Sequence, residues 1–328
     1  MNIPGINNCP GTLKEGLHSY SNTALKHVFN GRKVSPILPY ESPASNNLTD
    51  QLFEENQLRM SISGVQEKFS VVLDKNKLRL INEAEQGEYI LKPIPNIGKS
   101  PTQMPANEHL TMQIAKQVFN IKTAENALIF FSNGNPAYIT KRFDVKPDGS
   151  KWAQEDFASL GQRTPQTHGE NYKHKGNYLE LFELLKKYVP AYHIEAIKLF
   201  KLILFNYLFS NGDAHYKNFS LIETAQGDFK LSPAYDLLNS RIHIEDTDFA
   251  LDNGLLPPNL SKGKIHEQFY KLGELAGINE KQIKGVFKSL TSDKESVINL
   301  IYLSFLSEKI KRNYEQDYFT RLKKLTRI

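Results

Sequence analysis

The sequence predicts an α+β fold of two lobes, the N-terminal one an antiparallel sheet plus a helix, the C-terminal one mainly helical. Two patterns predict it. Between residues 69 and 142, short runs rich in β-branched and aromatic residues alternate with turn residues. From residue 178 onward, apolar residues instead recur at helical spacing. A chain of 328 residues, 40% hydrophobic and 23% charged, can bury one large core or two moderate ones.

Residues 1–60 are rich in Asn, Pro, Gly and Ser and lack sustained periodicity, so they read as an irregular cover with one short helix at Thr23 to Phe29. The N-terminal lobe is expected over residues 61–145. Its strands are Ser70 to Leu73, Lys77 to Ile81 and Glu88 to Lys92. A helix opened by Pro105 runs to about Phe119, with Leu110, Ile114 and Val118 on one face. Ala127 to Phe131 and Ala137 to Arg142 flank the Asn133-Gly134 turn signal and complete the sheet. The helical lobe takes residues 146–328. Tyr178 to Tyr188 is amphipathic, whereas Ile194 to Ser210 is apolar nearly all round, the pattern of a helix central to its lobe. Phe219 to Ile222 and Phe229 to Leu231 flank a turn at Thr224 to Asp228 and read as a hairpin. Helices follow at Gly263 to Ala276, Glu280 to Ser289, and Asp293 to the C-terminus.

Composition narrows the function classes. The single Cys9 excludes an intramolecular disulfide framework and fits a reducing compartment, so the expected location is the cytoplasm. No signal segment is visible, and the most apolar run, Leu202 to Phe209, is far too short to span a bilayer, so no membrane partner is expected. The excess of 41 basic over 36 acidic residues is mild and fits phosphate binding as well as nucleic acid. The basic segment Arg321 to Arg327 reads as a solvated helix face, and direct nucleic-acid binding is not expected.

The chemistry concentrates in Asp213-Ala214-His215-Tyr216-Lys217-Asn218 and, beyond the hairpin, Ala234-Tyr235-Asp236. Protein kinases set a catalytic Asp five residues before a metal-binding Asn, with a second metal-binding Asp downstream. Phosphoryl transfer asks little covalent work of a protein, so it depends on positioning a hydroxyl and neutralising phosphate charge. Asp213 can accept the hydroxyl proton, while Asn218 and Asp236 offer hard oxygen ligands to Mg2+. The same residue types also suit a helix end and a turn, since Asn211-Gly212 follows a long apolar stretch. The hairpin tips the balance, because it would carry Asp236 back towards Asn218.

In the N-terminal lobe, Lys92 ends a strand and Glu108 lies in the following helix, the arrangement by which kinases pair a phosphate-binding lysine with a helix carboxylate. Alone, both would read as surface charges. Ser61 to Lys68 holds one glycine, Gly64, and matches neither the Walker pattern nor a multi-glycine kinase loop. His168 and His174 lie in the polar stretch Gly161 to Asn177, read as a mobile loop, with metal binding the weaker reading because no HExxH or Cys pairing supports zinc.

Ser61 to Lys68, Lys92, Pro105 to Glu108, Lys141-Arg142-Phe143-Asp144, Gln154-Glu155-Asp156-Phe157, Asp213 to Asn218 and Pro233 to Asp236 together resemble the HipA-type serine/threonine kinase toxins over about residues 60–310. The resemblance implies a bilobal protein-kinase-like fold, with ATP and Mg2+ as cofactors. It makes Asp213 catalytic, Asn218 and Asp236 metal ligands, and Lys92 the phosphate-binding lysine. It aligns His215 with a catalytic-loop histidine and sets Ser63, Gly64, Val65, Glu108, Gln154 and Lys217 around the nucleotide. The hinge falls at Arg142, Phe143 and Asp144. Gln154 and His215 keep equal standing as a helix-start residue and a polar loop residue.

Ser61 matches the family's autophosphorylated serine, and Ser61-Ile62-Ser63 is similar to the HipT subgroup, in which both serines can be modified. A phosphoserine adds about −1.5 to −2 charges, which before Gly64 would repel ATP phosphates. Family members phosphorylate aminoacyl-tRNA synthetases, so such a protein substrate is implied. The short segment before Ser61 resembles split three-component systems, in which a small HipS-like protein supplies a missing domain and a helix-turn-helix antitoxin binds the kinase. A non-catalytic pseudokinase is the rival reading, and the intact Asp213, Asn218 and Asp236 set argues against it.

Overall fold

The computed structural model describes residues 5–43, 67–82, 85–96, 98–245 and 247–326. Helix α1 (Asn22–Val28) is capped by Ser21, whose side chain accepts from the Ala24 amide. Strands β1 (Phe69–Asp74), β2 (Lys77–Leu80) and β3 (Tyr89–Lys92) precede helix α2 (Met104–Gln117), and β4 (Asn126–Phe130) and β5 (Pro136–Lys141) follow it. They form one antiparallel sheet in the order β2-β1-β3-β5-β4. Lys75 and Asn76 stand at φ 43° and 69°, the paired positive values that match a two-residue hairpin turn to strand twist.

Strand periodicity sorts side chains between the two faces of this sheet. Val71, Tyr89, Leu91, Ala127, Ile129 and Ile139 share a core with Cys9, Tyr20, Val28, Phe29 and Leu38 of the N-terminal segment. The segment expected as an irregular cover therefore closes one face of the sheet with its own apolar residues. On the opposite face, Leu128 and Tyr138 join Ala106, Leu110 and Ile114 of α2 in the core of the helical lobe. One row of the sheet thus belongs to each core.

The second lobe comprises β6 (Gln154–Asp156), α3 (Phe157–Leu160), α4 (Pro165–His168), α5 (Leu179–Tyr188), α6 (Tyr192–Leu208), β7 (Ser220–Glu223), β8 (Phe229–Leu231), α7 (Ile265–Leu275), α8 (Glu280–Thr291), α9 (Lys294–Leu303) and α10 (Glu308–Thr326). Helix α6 is the centre, with Leu199, Phe200, Ile203, Leu204 and Phe205 wholly buried. Phe205 lies between Phe119 and Phe209, at ring-centroid distances of 5.9 and 4.4 Å. The expected hairpin is present as β7–β8, and β6 adds a third strand to it.

Three expectations need correction. The helix drawn from Asp293 to the C-terminus is two helices, because Ser304 turns extended (ψ 165°) and its hydroxyl donates to the Ile301 carbonyl at 2.6 Å. The stretch read as a loop over Gly161 to Asn177 contains α4, whose Thr164 and Thr167 cap one another, and a 3-10 turn at Tyr172–His174. Arg321, read as part of a solvated basic face, is 1% exposed, 2.5 Å from the Asp248 carboxylate and over the Tyr207 ring. No described helix is long and apolar enough to cross a membrane.

Truncating the central aromatic, Phe205→Ala, is expected to cost about 3–5 kcal/mol in urea unfolding. A loss below about 1 kcal/mol would mean that α6 is not the core helix.

Candidate active site

Alternation along β3 fixes the site's first group. Leu91 points to the N-terminal segment, so Lys92 points the other way, towards α2 and the space between the lobes. Lys92 is 4% exposed, and its Nζ donates to Glu108 Oε1 at 2.7 Å and to Asp236 Oδ1. Glu108 sits in the first turns of α2, buried at 3% exposure. Asp236 lies on the far lobe, at φ 55°. Its segment is held by Ala124 N donating to Ala234 O (2.9 Å) and Ala234 N to Lys122 O (2.8 Å), which ties the chain after β8 to the chain after α2.

The charges of this cluster set one another. Burial pushes the Glu108 carboxyl up, against the pull of Lys92. Burial likewise disfavours charge on Lys92, but Asp236 and Glu108 outweigh it and hold the ammonium above its ordinary range. Burial works against the Asp236 carboxylate too, and Lys92 and Lys68 overcome it and hold the carboxyl well below the usual range. The Asp236 side chain keeps 26% of its surface in solvent, so these attractions are partly screened. Lys68 Nζ stands 3.8 Å from Asp236 Oδ2.

The loop after α6 is pinned residue by residue. Ser210 takes φ 52°, its carbonyl accepts from the Ser240 hydroxyl (3.0 Å), and Arg321 Nε donates to its own hydroxyl at 3.3 Å. Gly212 N donates to Ser240 Oγ at 2.8 Å. Ala214 and Tyr216 turn into the core, where Tyr178 donates to the Ala214 carbonyl (2.8 Å) and Tyr216 to Glu180 (3.0 Å). Alternate residues therefore face the cleft: Asp213 with a side chain 50% exposed and His215 with one 9% exposed, their Oδ1 and Nε2 3.8 Å apart. Burial, then the charges of Lys173 and His174, press the His215 imidazole down to about 3.

Asn218 Nδ2 is 3.4 Å from Asp236 Oδ2, and Asn218 Oδ1 accepts from His215 N at 3.2 Å while retaining a second lone pair. The Asp236 carboxylate and the Asn218 amide oxygen are hard donors of the kind Mg2+ takes, with the Asn218 nitrogen turned to Asp236 and its oxygen to the His215 amide. These residues divide two adjoining clefts. One, of about 760 Å³, is lined by Arg142, Phe143, Asp144, Gln154 and Tyr235. The other, of about 460 Å³, is lined by Glu108, Asp213, Tyr172, Lys173 and His243. Lys68, Lys92, His215, Lys217, Asn218 and Asp236 border both.

The described residues assigned to the site from the sequence, Lys92, Glu108, Arg142 to Asp144, Gln154, Asp213, His215, Lys217, Asn218 and Asp236, thus line these two clefts, whereas His168 lines neither. Arg142 donates to both Asp144 carboxylate oxygens, at 3.0 and 2.5 Å. Gln154 is not a helix-start residue: it lies in β6, paired with Ile222, with its amide 3.3 Å from Ser220 Oγ. Ser61, Ser63, Gly64 and Val65 lie outside the described residues. Two neighbours had no site role assigned from the sequence. Lys68 appears there only as the end of the Ser61 to Lys68 motif, and His174, weighed as a loop residue with metal binding the weaker reading, stacks edge-on at 5.0 Å against His215, 41 positions later, through tertiary folding.

Residues 60–298 match the family model of the HipA-like C-terminal domain. The chain belongs to that family. A putative kinase of Haemophilus influenzae is 26% identical over 342 residues, covering 94% of this chain and 93% of its own. Two putative kinases of Sinorhizobium fredii are 31% and 32% identical, and the chain spans only 43% and 49% of their lengths. Among solved structures, HipA of Shewanella oneidensis, in a complex with HipB and operator DNA, superposes with a TM-score of 0.61 at 20% identity, over 80% of this chain and 63% of that one. The Helicobacter pylori proinflammatory kinase CtkA gives 0.51 at 15% identity, over 77% of this chain and 92% of that one. The HipA-like chain therefore has the bilobal, kinase-like α+β fold that its sequence predicts.

The buried histidines give this HipA-like fold a pH signature. His215 is held near 3 and the wholly buried His109, bonded to Asn126, near 4, both chiefly by burial, against 6.5 when exposed. Between those values the unfolded chain binds the extra protons, so stability falls as pH drops below about 6.5. Urea unfolding is expected to lose up to about 1.4 kcal/mol per pH unit for each histidine, and His109→Gln to flatten that slope. A slope unchanged in the variant would refute the assignment.

Proposed function

We propose that the chain is an ATP-dependent serine/threonine protein kinase of the toxin–antitoxin type. The observation that carries the reading is the convergence of Lys92, Asp213, Asn218 and Asp236, from three separate segments, where two clefts adjoin. The larger cleft, beside the Arg142–Asp144 crossing, takes the nucleotide. The smaller, with Asp213 on its wall, takes the protein hydroxyl.

In this scheme Lys92, kept charged by Glu108, binds the ATP phosphates once Asp236 is engaged elsewhere. Asn218 and Asp236 would hold Mg2+, which neutralises charge on the phosphates. Asp213 accepts the proton of the serine or threonine hydroxyl as its oxygen bonds to the γ-phosphorus and the bond to ADP breaks. His215, neutral at physiological pH, packs behind Asp213 and adds no competing positive charge. Ser61 and Ser63 are the proposed self-modification sites, and phosphate there would be self-inhibitory through repulsion of the nucleotide. An aminoacyl-tRNA synthetase as substrate, a HipS-like small protein and a helix-turn-helix antitoxin as partners, and a cytoplasmic location complete the proposal. The HipT-type serine pair and the HipB-bound Shewanella protein support these choices.

Intact-mass analysis of phosphatase-treated protein with Mg2+ and ATP, followed by peptide mapping, tests it. Phosphate on Ser61 or Ser63 is expected in wild type, with the rate lowered roughly 10²–10⁴-fold in Asp213→Asn. Nucleotide binding without transfer to itself or to candidate synthetases would instead make the chain a pseudokinase.

A further inference from the structure

His174 is absent from the scheme above, yet the fold delivers it to the catalytic loop. One ligand atom each from His174, Asp213 and His215 lies within 4.8 Å of the others. His174 sits on the 3-10 turn before α5, and its Nδ1 is 2.8 Å from the Ala250 carbonyl. A carbonyl can only accept, so Nδ1 carries the proton and Nε2 presents a lone pair. Metal-ligating histidines are oriented by this kind of second bond. His215 turns its Nε2 towards Asp213, 3.8 Å from Oδ1, and that nitrogen is the one it offers.

We propose that His174, His215 and Asp213 form a site for a borderline divalent transition ion of the Zn2+ class. Two imidazoles and one carboxylate are the donors such ions select, whereas Mg2+ takes oxygen and is assigned to Asn218 and Asp236. Ligands about 2.0–2.1 Å from a tetrahedral zinc stand roughly 3.3–3.4 Å apart. The 3.8 Å between His215 Nε2 and Asp213 Oδ1 is close to that. The fourth position opens to the cleft of about 460 Å³ and is left for water.

The consequence for catalysis rests on the kinase reading. An ion held by Asp213 occupies the carboxylate that would accept the substrate's proton, so zinc would switch transfer off while leaving the nucleotide cleft intact. The binding itself needs no catalysis.

Metal-free full-length protein titrated with Co2+, read by its visible d–d absorption and back-titrated with Zn2+, separates these claims. One Co2+ per chain with a four-coordinate spectrum is expected, displaced by Zn2+. The Zn2+ Kd should rise at least about tenfold in His174→Gln and stay unchanged in His266→Gln, a partly exposed histidine remote from the cluster. Melting midpoints confirm that each variant is folded, and His174→Asn serves if His174→Gln is not. In phosphotransfer assays at saturating Mg2+ and ATP, zinc should inhibit wild type at least about tenfold more potently than His174→Gln. No cobalt band, or an identical Kd in wild type and His174→Gln, overturns the site. Cobalt binding without phosphotransfer by the cobalt- and zinc-free protein at saturating Mg2+ and ATP would instead overturn the kinase reading and leave the site standing.

Discussion

The Lys92 ammonium is the group on which the arrangement turns. It lies on the sheet, its partners Glu108 and Asp236 lie on the helix beside the sheet and on the opposite lobe, and Lys92 and Glu108 are withdrawn from bulk water while Asp236 is half-buried. Two carboxylates surround the buried Lys92, and Lys68, 3.8 Å from Asp236, adds a second positive charge. Such a cluster is stable only while each member keeps its partners. Asp236, the half-buried member beside Asn218 and Lys68, is the one placed to exchange these partners for the proposed metal ion.

Rigidity beneath the cleft comes from packing and from polar groups the core is obliged to satisfy. The residues after α6 could swing as a loop, but Ala214 and Tyr216 are buried on one side and Ser240 bonds both Ser210 and Gly212 on the other. Arg321 supports the start of the same loop from the last helix, with its guanidinium over Tyr207 and against Asp248. A charge expected at the surface thus serves as a buried strut. Positioning catalytic groups on a loop locked by a second layer of contacts is what phosphoryl transfer requires.

Much of this was legible in the sequence, for local reasons. The strands of the sheet, α2 with Leu110 and Ile114, the apolar α6 and the β7–β8 hairpin all follow from side-chain period and turn residues within one short window. The Asp213 to Asn218 spacing was legible because both residues sit within one six-residue stretch of the chain. What stayed hidden depends on distant partners. Strand β6 is Gln154-Glu155-Asp156, with no apolar residue to mark it, and is a strand only because β7 pairs with it. The break between α9 and α10 rests on one serine's hydrogen bond, and Arg321 and His174 take their character from neighbours far along the chain.

A crystal structure with Mg2+ and a non-hydrolysable ATP analogue tests the central claim most directly. The account places the phosphates on Lys92, the ion on Asn218 and Asp236, and the base beside Arg142 to Asp144, with the Lys92–Asp236 contact opened and the Lys92–Glu108 pair retained. A nucleotide bound elsewhere, or bound there with Lys92 still closed on Asp236 and no ion between Asn218 and Asp236, would contradict it.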